Sequence, residues 1–137
     1  MKFNKIEFLE EIKNELTKAK IKDVELFGSK KNTRFPLILI EFGAIRNNVS
    51  TIDSTRKIKY IEVPIVIEIY TKDTREITKE KSCLEIEEKI ISCIEESENL
   101  RNLTFISSMQ LPNLDSNVNR WRISYNATIN VENNGII

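Results

Sequence analysis

The stretch KYIEVPIVIEIYT, residues 59–71, decides the architecture. Ile61, Val63, Ile65, Ile67 and Ile69 take alternate positions, and β-branched residues at a period of two mark a strand with one wholly apolar face. Its other face carries Tyr60, Glu62, Pro64, Val66, Glu68 and Tyr70. Pro64 has no N–H to give to a ladder, so the strand is expected at a sheet edge or bulged there.

Upstream, Phe35 to Phe42 (FPLILIEF) is apolar on both alternating faces, which fits a strand inside a sheet. Residues 44–58 (AIRNNVSTIDSTRKI) then form a loop longer than nearly all hairpin connections, and loops of that length are usually functional or disordered. Downstream, Thr78 is a plausible N-cap for a long helix reaching about Glu98, with Cys83, Ile86, Ile90, Cys93 and Ile94 as its core stripe, flanked by Leu84 and Ile91. Two further strands close the chain, Thr104 to Leu111 and Asn119 to Val131. The last turns Trp121, Ile123, Tyr125, Ala127 and Ile129 inward, and Arg120, Arg122 and Ser124 outward. At the start, Asn4 with Glu7 three residues later makes a capping box for a helix to about Ala19, whose core stripe is Leu9, Ile12, Leu16 and Ala19, widened by Phe8. A short extended piece, Val24 to Phe27, follows it, and a frayed tail is expected at residues 133–137. The expectation is one α+β domain over 1–137: a mostly antiparallel four- to five-stranded sheet with two helices packed on one face.

The chain has 137 residues, 21 basic and 21 acidic side chains, and no histidine. Without imidazole there is no Ser-His or Cys-His nucleophile pair and no His-ligated zinc. The charge balance gives no general attraction to nucleic acid or an anionic membrane. Cys83 and Cys93 lie ten residues apart in the expected helix, about 15 Å along its axis, too far for a disulfide. The start of the chain is too charged for a secretory signal, and no apolar run is long enough to span a membrane. Gly28, Gly43 and Gly135 are too scattered to cradle a phosphate, so no cofactor is expected. The one candidate for catalysis is a magnesium-dependent nuclease built on Glu41 and Glu68 with Lys72 nearby. Exposed strand glutamates are common enough that a non-enzyme is the favoured expectation.

Neutrality conceals a separation. Residues 1–60 contain 13 basic and 8 acidic side chains, and residues 61–137 contain 8 and 13. The positive charge gathers at Lys30, Lys31 and Arg34, then at Arg46, Arg56, Lys57 and Lys59, while the second helix is negative through residues including Glu87, Glu88 and Glu95. Such a run is often only a solvated face. The alternative is a head-to-tail contact between copies, acidic helix against basic loop, of the kind that closes into a ring.

Several local sequences follow a familiar order: the N-terminal amphipathic helix, IEFG (Ile40 to Gly43), the long loop, VPIVIEIY (Val63 to Tyr70), KIISCIEE (Lys89 to Glu96) and RWRISYNATI (Arg120 to Ile129). Over nearly its whole length the chain resembles the small tail-terminator, or tail-completion, proteins of tailed phages and phage-tail-like contractile particles. The resemblance implies a ring, typically of six, that sits on the last ring of the tail tube, stops polymerisation and presents a surface to a sheath, head or neck component. It implies assembly in a bacterial host's cytoplasm and no catalytic residues. On this reading Arg120 and Arg122 are expected at a subunit contact or along the lumen through which DNA passes. A head-completion or neck connector is the nearest alternative, and a binding module for a regulatory partner would remain a monomer.

Overall fold

The structure, a computed structural model, describes residues 4–26, 35–43, 46–47, 60–112 and 117–130. The expected loop 44–58, apart from Arg46 and Asn47, and the tail 133–137 lie outside them, as do Arg56, Lys57 and Lys59.

Helix α1 spans Lys5–Lys18, and the Asn4 side chain caps it by accepting from the Glu7 N–H at 3.0 Å. At its other end the N–H of Ile21 donates to the Leu16 carbonyl and that of Lys20 to Thr17, a Schellman arrangement. This places Lys20 at φ 64, a position glycine usually fills. Strands β1 (Val24–Leu26), β2 (Leu37–Phe42), β3 (Arg46–Asn47) and β4 (Tyr60–Lys72) follow. Helix α2 (Lys79–Glu96) is capped by Thr78, whose hydroxyl accepts from the Lys81 N–H, and a 3-10 turn at Glu98–Leu100 leads to β5 (Leu103–Leu111) and β6 (Val118–Asn130).

The sheet order is β1-β2-β4-β6-β5, with β3 beside β4. The fold is α+β as expected, but the sheet is mixed: β1 runs parallel to β2, and every other pairing is antiparallel. Phe8, Leu9, Ile12 and Leu16 of α1 and Cys83, Ile90 and Ile94 of α2 join one buried cluster with Val63, Ile65, Ile67 and Ile69 of β4 and Ile123, Tyr125, Ala127 and Ile129 of β6. The period-two reading therefore names the core face of the central strand from Val63 to Ile69.

Pro64 does not put β4 at an edge or into a bulge: β4 pairs on both sides, and its register with β6 runs unbroken. In an antiparallel pair a residue's N–H and C=O point toward the same neighbour. For Pro64 that neighbour is Gly43, whose N–H donates to the Pro64 carbonyl at 2.9 Å. The missing donor thus falls in the gap between the end of β2 at Phe42 and the start of β3 at Arg46. Gly43 is needed there, because a Cβ would stand 2.9 Å from the Pro64 Cβ.

Candidate functional site

On the even-numbered face of β4 the strand register places side chains in cross-strand rows. Leu39, Glu68, Arg122 and Met109 make one row, and Leu37, Tyr70, Arg120 and Leu111 the next. Glu68 at the centre is only 5% exposed. Its Oε1 accepts from the Tyr70 hydroxyl at 2.7 Å and from Arg120 Nη2 at 3.4 Å, and its Oε2 accepts from Arg122 Nη2 at 3.0 Å. Arg120 also donates to the Pro112 carbonyl and lies 5.5 Å from the centre of the Tyr70 ring.

Burial alone would raise the Glu68 pKa, but hydrogen bonds from Tyr70 and Arg122 outweigh it and hold the carboxyl below its ordinary value. Glu41, diagonal to Glu68 across β2 and β4, is pushed the other way, first by burial and then by its hydrogen bond with Glu68 and that residue's charge. The two carboxylates therefore share their environment unequally, and Glu41 is the one that takes up a proton first. Burial, and then the Glu68 carboxylate, raise the Tyr70 hydroxyl.

The structure brings Glu41 and Glu68 together and leaves Lys72 apart. Four residues along the same strand is about 13 Å, and the Lys72 ammonium sits 4.5 Å from the centre of the Phe35 ring. Both oxygens of Glu68 are engaged by neighbouring donors, and no group of three metal-ligating side chains occurs among the described residues. This is an ion clamp across two strands. The two arginines are correspondingly less free than an outward-facing strand suggested: Arg120 and Arg122 each bond Glu68, with side chains 19% and 38% exposed.

A second surface lies where α2 meets the β5 edge. Glu87 is half-buried, and its carboxylate accepts from the Ser108 hydroxyl, which itself accepts from the Trp121 indole N–H. Its charge ties the helix to the sheet; sequence had placed it on an acidic face read either as solvated or as a subunit contact. Glu88 and Glu95 are exposed, and beside them Leu84 is 44% exposed on the same side of the helix. β5 itself carries no charged residue in LTFISSMQL and leaves Phe105, Ile106 and Met109 exposed. It is an edge strand, bulged between Phe105 and Ser107. Natural edges are protected from pairing by lysine, proline or a bulge, and of these β5 carries the bulge alone. Arg46 pairs through β3 with Glu62 of β4, which places its backbone beside the central strand.

At the opposite flank, toward β1, lies a feature that sequence reading missed. Lys20 and Lys22 from the α1–β1 connection and Lys89 from α2 rim a notch of about 240 Å³ floored by Ile21, Ile38 and Ile86. Lys-Ile-Lys at residues 20–22 was its only local trace; the third cation comes from a distant helix. No described helix is long and apolar enough to cross a membrane. No protein-family model matches the chain, and neither does any curated protein.

Proposed function

We propose that this chain is a structural assembly protein that forms a ring, of six subunits, on the end of a phage-type tail tube. The ring stops tube and sheath polymerisation and offers its outer side to a head, neck or collar component. It assembles in the bacterial host's cytoplasm and stays in the finished particle, with DNA passing through the lumen where a capsid is present. The order of elements and the local sequences shared with tail-terminator proteins support the reading. The observation that carries it is the pairing of an uncharged edge strand, β5, exposing Phe105, Ile106 and Met109, with an acidic helix flank. An exposed strand of that composition is a surface for a protein partner.

The test is mass measurement and negative-stain microscopy of the purified full chain, alone and with tail tube protein. Closed rings that cap tubes and stop their growth are expected. A strict monomer that leaves tube lengths unchanged ends the reading.

A further inference from the structure

We infer that the lysine-rimmed notch beside β1 of one subunit receives the Leu84 side of α2 from a second copy of this chain. The inference rests on the ring reading for its occupant and gives that ring a specific joint.

The argument begins with the two flanks of α2. Ile86 and Lys89 face the notch together with Lys20, Ile21, Lys22 and Ile38, so that flank looks toward β1. Glu87 bonds Ser108 of β5, so the other flank looks toward the opposite edge of the sheet. Leu84 belongs to this second flank. On a helix its surface neighbours are Glu80 and Glu88 at four residues and Lys81 and Glu87 at three, with Glu95 further along the same side; Glu80 is paired with Lys79 and Glu87 with Ser108, which leaves Glu88 and Glu95 as the open carboxylates. It is a large apolar side chain, 44% exposed, with the exposed Glu88 one turn on and Glu95 beyond it.

The notch is the converse: an apolar floor inside a ring of three lysines. All three lysines are exposed, and none makes an ion pair with a described residue. A Leu side chain on the floor would bring Glu88 and Glu95 against Lys20, Lys22 and Lys89. The open carboxylates of Glu88 and Glu95 are opposite in sign to the lysine rim, which selects register and orientation more than it adds affinity. Lys20 keeps a left-handed backbone at φ 64 although glycine would fit that position with less strain.

Each copy carries the knob and the notch on opposite flanks of α2, and in the ring the knob of one copy enters the notch of the next. The contact is heterologous and propagates head to tail, as a ring requires and as a twofold dimer does not.

Two surface variants test this by sedimentation of the full chain at low ionic strength. Leu84→Lys spoils the knob and keeps the notch, and Lys22→Glu with Lys89→Glu spoils the notch and keeps the knob. Each alone should lose the wild-type oligomer, with association weakened about tenfold to a hundredfold. Mixed one to one, they should form a dimer and nothing larger, because one intact knob meets one intact notch. That result also shows both variants folded. Wild-type mass in either variant, or a mixture that remains monomeric, overturns the inference. Rings that persist in both variants and still cap tubes would sink this joint and leave the proposed function standing. Variants that behave as expected beside a wild-type ring that never caps a tube would do the reverse.

Discussion

Arg122 Nη2 stands 3.0 Å from Glu68 Oε2 across β6 and β4, on the face of the sheet opposite the buried cluster. With Arg120 and Tyr70 on the other oxygen, a carboxylate that is 5% exposed keeps its charge. The desolvation cost is offset by three charge-assisted donors.

Removing that centre should cost more than removing any one donor. Glu68→Ala leaves two partly buried guanidinium groups facing each other without a counter-charge. A loss of about 2–4 kcal/mol is expected, at the lower end of the range for broken buried pairs because both arginines reach solvent. Arg122→Ala keeps Arg120 and Tyr70 on the carboxylate and should cost about 1–2 kcal/mol. Urea midpoints at unchanged m-value read both.

The two carboxylates make opposite contributions to stability against pH. Glu68 has a folded pKa below its ordinary 4.5, so its stabilisation is present above that value and is lost as pH falls through the lower folded one. Glu41 has a folded pKa above 4.5, so its contribution is present below that value and disappears as pH rises through the higher folded one. Glu41→Gln should therefore raise the melting temperature at pH 7 and flatten the profile just above pH 4.5. The gain should be at most about 1 kcal/mol. Melts of both proteins from acid to neutral pH check it; equal shifts at every pH would contradict the assignment.

Gly43→Ala should destabilise the sheet by about 1–3 kcal/mol. The new Cβ would meet the Pro64 Cβ at 2.9 Å, and a proline ring in a central strand has little room to give. Gly43→Ala combined with Pro64→Ala relieves the crowding, and recovery of at least half the loss is the expected result in chemical denaturation.

Both thiols should be slow to alkylate at pH 8 in the folded protein and fast in urea. Burial raises the Cys83 and Cys93 pKa values, and Cys83 is fully buried. Cys93 is half-buried and lies with its sulfur 3.4 Å from the Glu15 carbonyl, so it should react first. A thiol that titrates rapidly in the native state would contradict this.

Lys20→Gly should stabilise the monomer by about 1 kcal/mol, the order of the cost of a left-handed backbone for a residue with a Cβ. The same change should weaken association if the lysine serves the notch. Thermal denaturation and sedimentation of the one variant read the two effects separately.

Local chemistry in the sequence determined the elements. Asn4 and Thr78 announce both helices through their caps, the alternating Val63, Ile65, Ile67 and Ile69 name the core face of β4, and Trp121 to Ile129 name that of β6. These signals are legible because each depends on neighbours within a few residues. Tertiary structure alone decided what depends on register between distant strands. Pro64 suggested an edge and lies in the central strand, because Gly43 and the gap between β2 and β3 absorb its missing donor. Glu87 belonged in sequence to an acidic helix face, and in the fold it accepts a bond from Ser108. Arg120 and Arg122 pointed outward as expected, yet both close on a carboxylate more than fifty residues away in the chain. The lysine notch is the same lesson at the surface. Two of its cations were visible side by side, and the third joined them only when α2 packed beside the end of α1.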